Sequence, residues 1–119
     1  MKERQLLKGV VQSGQGKGKA MGAATANLDI KLAQGLKKGL FRCEVIWNNQ
    51  TFKGLLYFGF NSLSGQNCLE VHIAGLDKDI VGEEIKIIVG SYLRPPQIFS
   101  TIKQLEAQIK KDLELLHFI

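Results

Sequence analysis

The strict alternation of apolar and polar residues is what most limits the folds open to this chain. Phe41, Cys43, Val45 and Trp47 alternate with Arg42 and Glu44, and Leu69, Val71 and Ile73 alternate with Glu70 and His72. Successive strand residues point to opposite faces, so each run presents one face to a core. Strand-like runs cover Gln5–Gln12, Ala26–Ile30, Leu40–Trp47, Thr51–Phe60, Asn67–Ala74 and Glu83–Tyr92. Asn48-Asn49-Gln50 between two of them is a hairpin signal. Six short strands with turn-rich connections and no intervening helix predict an antiparallel sheet or barrel.

The chain closes on a helix. Ser100 or Thr101 can cap it, and Thr101 with Gln104 fits a capping box. Ile102, Leu105, Ile109, Leu113 and Leu116 form one apolar stripe, suited to packing on the sheet. Just upstream, Pro95-Pro96 blocks helix and forces an extended crossing from Arg94 to Phe99.

A length of 119 residues predicts one domain, residues 1–119, with a single core. No apolar run approaches a membrane span, and no apolar signal core follows Met1, so a cytoplasmic protein without membrane contact is expected. Cys43 and Cys68 lack metal-ligand spacing and sit inside strand patterns, as reduced core cysteines do. The net charge of +5 favours anionic partners. Nucleic acid is the weaker choice among them, because exposed aromatics interleaved with Lys or Arg are missing. A monomer is expected.

The segment from Gly14 to Gly22 holds four glycines and two lysines in nine residues. Such backbone can turn its N–H groups around an anion. Directly after it, Thr25 and Asn27 lie two apart on a strand, so both oxygens project from one face. Glycine-rich backbone for phosphates beside neutral hard oxygens for Mg²⁺ is what a nucleotide site needs. The loop is not a Walker A, because Ala20 follows Gly18-Lys19 where Lys-Ser or Lys-Thr is required, and Lys19 fills the third glycine position of a dinucleotide fingerprint. A flexible glycine-rich connection is the alternative reading of the same residues.

In this order the pieces resemble the riboflavin kinase family, from about Leu7 to Asp112. Gly9-Val10, the Gly14–Lys19 loop and Gly22-Ala-Ala-Thr25-Ala-Asn27 match its first motif. Gly39-Leu40-Phe41 matches its Gly-Val-Tyr strand opening, and Glu70-Val71-His72 is its Glu-Val-His strand intact. Leu93-Arg94-Pro95-Pro96-Gln97-Ile98-Phe99 matches the segment that leads into its last helix. The resemblance implies a mainly β fold, a six-stranded antiparallel Greek-key β-barrel with one C-terminal α-helix. It implies Mg²⁺-dependent transfer of the ATP γ-phosphate to the 5′-hydroxyl of riboflavin, giving FMN.

Carried over residue by residue, Glu70 is the expected catalytic base. Gly14, Gly16, Gly18, Lys19, Gly22, Thr25 and Asn27 are expected to bind the nucleotide, Thr25 and Asn27 also the metal, and Arg94 and Phe99 the flavin. Many bacterial members carry an adenylyltransferase domain ahead of the barrel. This chain starts at the first barrel strand, so none is expected here.

Ala24 stands where the family has proline, Lys19 where it has arginine, Val81 where it has tyrosine, and a Pro-Thr pair after Gly59 is missing. These departures motivate a second reading, a non-catalytic flavin- or nucleotide-binding barrel of the same ancestry. Lys19 is a point charge on a flexible stem, able to attract phosphate but not to grip two oxygens as arginine does. Lys19→Ala should therefore raise the apparent KM for ATP, and Lys19→Arg should be tolerated. Steady-state kinetics with ATP varied would check this, and an unchanged KM in Lys19→Ala would reduce the lysine to a solvated charge.

Overall fold

The computed structural model describes residues 5–13, 23–61 and 64–114. Its strands are β1 (Leu6–Val10), β2 (Ala23–Leu28), β3 (Gly39–Trp47), β4 (Gln50–Asn61), β5 (Gln66–Ala74) and β6 (Glu84–Arg94), followed by helix α1 (Ile102–Glu114). The strands form one antiparallel sheet in the order β1-β6-β3-β4-β5-β2. Strands β3, β4 and β5 are consecutive neighbours and β6 returns beside β3, which is a Greek key. The sheet curls far enough for its two edges to meet at one point, where the Gln12 N–H donates to the Asn27 carbonyl at 2.7 Å.

The alternation sets the interior. Phe41, Cys43, Val45 and Trp47 of β3 are buried together with Leu56 of β4, Leu69, Val71 and Ile73 of β5, and Ile85, Ile87 and Val89 of β6. Asn48 and Asn49 take positive φ values of 53° and 61°. That is the geometry of a tight hairpin turn, with Trp47 paired to Gln50.

Two expectations need correction. The strand expected over Ala26–Ile30 runs instead from Ala23 to Leu28, and Ile30–Ala33 forms a 3₁₀ turn. Asp29 stops the strand, because its carboxylate accepts the Lys31 N–H at 3.0 Å and caps that turn. The stripe of α1 is not uniformly apolar either. Leu105 and Ile109 pack on the outer side of the sheet against Leu40 and Leu55, but Ile102 is exposed and Asp112 is buried beside them. The Leu113 side chain and Leu116 lie outside the described residues. At the helix start the Gln104 N–H donates to Thr101 Oγ1 at 3.2 Å, while the Gln104 side chain reaches back to the Ser100 N–H at 2.9 Å.

Strands β3 and β6 approach closely at Gly39, whose φ is +146°. A Cβ there would lie 2.4 Å from the Arg94 carbonyl oxygen and 2.5 Å from the Tyr92 ring. Gly75, with φ +82° and open space around it, supplies a control that tests backbone strain alone. Gly39→Ala should cost about 2–4 kcal/mol by clash and strain together, against about 1 kcal/mol for Gly75→Ala. Urea denaturation of both variants would check the difference.

Candidate active site

The antiparallel register lines up residues from five strands. Asn27 on β2 pairs with Glu70 on β5, Glu70 with Tyr57 on β4, Tyr57 with Leu40 on β3, and Leu40 with Arg94 on β6. Directly paired residues share a face, so this row runs along the outer side of the sheet. One step away, Thr25 pairs with His72 and His72 with Leu55. Helix α1 and the crossing after Arg94 lie over the part of these rows formed by Leu40, Leu55, Tyr57, Glu70, His72 and Arg94. The cleft beneath them is lined by Tyr57, Glu70, His72, Arg94, Gln97, Phe99 and Asp112, among others. Its volume of about 50 Å³ holds one or two waters.

Burial explains the electrostatics of the rows. His72 is buried, and dehydration pushes its imidazole down to about 4 even though the Asp112 carboxylate opposes the shift. The ring is neutral at physiological pH, and its Nδ1 lies 3.1 Å from Thr25 Oγ1. As acceptor or as donor, that nitrogen fixes the Thr25 hydroxyl. Burial raises the Glu70 carboxyl above its ordinary value, and a hydrogen bond from the Cys68 thiol, 3.7 Å away, partly offsets it. Tyr57 is pushed up to about 12, chiefly by burial, and its hydroxyl donates to the Phe60 carbonyl at 2.7 Å. Arg94 Nη2 donates to Asp112 Oδ2 at 2.6 Å, and Gln108 Nε2 donates to Asp112 Oδ1 at 3.0 Å.

Of the residues singled out from the sequence, Glu70, Arg94 and Phe99 line one cleft. Thr25 and Asn27 flank it on β2, half-buried on the face opposite Ala24, Ala26 and Leu28. Gly14, Gly16, Gly18, Lys19 and Gly22 lie outside the described residues. Both cysteines are free. Cys43 is a core thiol, whereas Cys68 is only half-buried and sits beside Glu70.

Sequence reasoning missed Tyr57, Gln97 and Asp112 as members of the cleft. Only Asp112 carried a signal, an acid placed on the spacing of Leu105 and Ile109. A second, open recess of about 1020 Å³ crosses β3 and β6 and is lined in part by Phe41, Arg42, Phe52, Lys53 and Tyr92. Among the described residues, none of the expected catalytic, nucleotide, metal or flavin residues lines it. Among the described residues, no group of three or more His, Cys, Asp or Glu side chains is placed to hold a metal ion, and no helix is long and apolar enough to cross a membrane.

Residues 1–118 match the family described as Flavokinase: Riboflavin kinase. The chain belongs to the riboflavin kinase family. Among its relatives, the Trifunctional protein RibF/MnmA of Mycoplasmoides gallisepticum is 34% identical over 110 residues, which cover 89% of this chain and 17% of that protein. The RNA-binding riboflavin kinase RibR of Bacillus subtilis is 31% identical over 111 residues, covering 91% of this chain and 48% of that protein. The chain thus spans less than half the length of these relatives. The solved structure of riboflavin kinase from Trypanosoma brucei superposes with a TM-score of 0.61 at 20% identity, covering 96% of this chain and 78% of that one. At that identity the likeness concerns the riboflavin kinase fold.

The buried imidazole makes stability depend on pH. His72 titrates near 4 in the fold and at the ordinary 6.5 when exposed, so between these values the unfolded chain binds more protons. Its contribution is fully present above 6.5 and is lost as pH falls toward 4. Glu70, raised in the fold, acts with the opposite sign just above the ordinary carboxylate range. His72→Gln removes the first effect and leaves the second. The stability advantage of the wild type over this variant should shrink by up to roughly 3 kcal/mol between pH 6.5 and 4. Denaturant melts along a pH series, without nucleotide or metal, would check it.

Proposed function

We propose that this chain is a riboflavin kinase, transferring the γ-phosphate of ATP to the 5′-hydroxyl of riboflavin to give FMN and ADP. The observation that carries the proposal is Glu70. It is a half-buried carboxylate in one row with Asn27 and Arg94, beside an anchored Thr25 and under the covered crossing. Phosphoryl transfer asks for positioning, neutralisation of phosphate charge and a group that accepts the nucleophile's proton.

Glu70 is the base in this reading. As the riboflavin oxygen bonds to the γ-phosphorus and the bond to ADP breaks, the hydroxyl proton passes to the carboxylate. Burial raises the proton affinity of Glu70, which makes it a stronger base than a solvated carboxylate.

Thr25 and Asn27 are the proposed holders of Mg²⁺. They offer neutral hard oxygens on one face of β2, and the ion prefers such donors together with waters and nucleotide phosphates to a cage of carboxylates. When bound, Mg²⁺ neutralises phosphate charge. The His72 contact holds the Thr25 oxygen in place, and because the imidazole is neutral it does not repel a cation. Gly14, Gly16, Gly18, Lys19 and Gly22 are assigned to the phosphates. Arg94 and Phe99 are assigned to the flavin, which enters only if the crossing or α1 shifts, since the cleft measures about 50 Å³. The chain is further proposed to work as a single-domain cytoplasmic monomer on two small-molecule substrates, without nucleic acid or membrane.

Incubation of the purified protein with riboflavin, Mg²⁺ and ATP, with FMN followed by chromatography, tests the activity. Riboflavin binding without FMN formation would favour the non-catalytic barrel. Glu70→Gln keeps the shape of the side chain and removes the base. It should lower kcat by about 10²–10⁴-fold with both substrates still bound. Thr25→Ala and Asn27→Ala should raise the KM for Mg²⁺-ATP and lower turnover as well. Near-normal kcat in a folded Glu70→Gln protein would refute the assigned base.

A further inference from the structure

The polar contacts that the proposed chemistry leaves unused converge on Asp112. It occupies the stripe of α1 next to Ile109, where a hydrophobic residue would serve packing, and it is only 5% exposed. Both of its oxygens are engaged, Oδ2 by Arg94 at 2.6 Å and Oδ1 by Gln108 at 3.0 Å. A dehydrated ion pair is a poor way to attach a helix, because apolar side chains of similar volume often hold it as well or better. An ion pair can do what a leucine cannot, which is to fix the direction of a guanidinium. Arg94 closes the cross-strand row and opens the crossing that brings Gln97 and Phe99 into the cleft.

We propose that Asp112 is a positioning residue for the riboflavin side of the site, acting through Arg94 to set the start of the crossing. The proposal rests on the riboflavin kinase reading above. Thr25 and Asn27 lie on β2, four places along the sheet order from the β6 strand that carries Arg94, and neither lines the cleft that Arg94 enters. A change at Arg94 therefore bears first on the crossing and the cleft rather than on Thr25 and Asn27. Asp112 also faces His72, which touches Thr25. A second route toward the nucleotide thus exists, and the test must separate it from the first.

Four proteins decide the matter: wild type, Asp112→Asn, Arg94→Gln and the double variant. Riboflavin affinity is read from quenching of its fluorescence, ATP from its KM, and the integrity of α1 from hydrogen exchange. Asp112→Asn should weaken riboflavin binding about tenfold or more and leave the KM for ATP within about twofold. The double variant should bind riboflavin no more weakly than Arg94→Gln alone, because the two residues act as one unit. Asp112→Glu, which keeps the charge, should recover most of the affinity.

The assignment is overturned by unchanged riboflavin affinity in folded Asp112→Asn, by equal losses for riboflavin and ATP, or by losses that multiply in the double variant. If Asp112→Asn alone fails to fold, the double variant, free of both charges, still decides by comparison with Arg94→Gln. A wild-type protein that neither binds riboflavin nor forms FMN would sink the kinase reading itself, an outcome distinct from an active wild type matched by Asp112→Asn.

Discussion

Everything proposed for this molecule depends on the covering of one strand on both of its faces. β5 is hydrogen-bonded to β2 on one side and to β4 on the other. Its inward residues Leu69, Val71 and Ile73 lie in the core, while Glu70 and His72 on the other face meet the cleft under α1. Leu105 and Ile109 seat the helix on Leu40 and Leu55. Burial of these apolar side chains is the favourable contribution that keeps the outer rows out of water. Without the cover of the helix and the crossing, Glu70 would lose part of the burial that raises its proton affinity.

The crossing that completes the cover needs room beneath it. A Cβ at Gly59 would lie 3.1 Å from the Tyr57 hydroxyl and 3.2 Å from Pro96 Cγ, so the crossing passes close over this glycine and a side chain there would require Tyr57 or Pro96 to give by a few tenths of an ångström. Pro95 and Pro96 hold the segment extended without asking the sheet for hydrogen bonds. Tyr57 bridges the two parts. It stands beside Glu70 in the row, and through its hydroxyl it ties down the Phe60 carbonyl at the end of β4.

Much of this was legible in the sequence, and the illegible parts share one cause. The alternation in 41–47 and 69–73 gave the sidedness of β3 and β5 correctly, and Asn48-Asn49 marked its turn, because both signals are local. The spacing of Thr25 and Asn27 placed them on one face for the same reason. Local pattern could not say what lies over a face. Glu70 and His72 read as a polar, outward pair, and they are buried by elements from later in the chain, the crossing with Gln97 and Phe99 and helix α1 with Asp112. Asp112 was hidden in turn, because its partner Arg94 is 18 residues away. The error at Ile30 was of another kind. An apolar residue extended the strand pattern on paper, but Asp29 before it offered a competing local hydrogen bond, which prevailed.

One physical cause serves two opposite needs in the rows. Dehydration disfavours whichever form carries charge, so it lowers the imidazole and raises the carboxyl. A neutral His72 can anchor the Thr25 hydroxyl without adding positive charge beside it, as the proposed Mg²⁺ role of Thr25 requires. A Glu70 of raised proton affinity is better matched to taking a proton from a hydroxyl near neutral pH. Both shifts follow from the same cover of strand neighbours, crossing and helix. The docking of α1 and the electrostatics of the rows are linked in that sense, and the Arg94–Asp112 pair joins the helix to the start of the crossing.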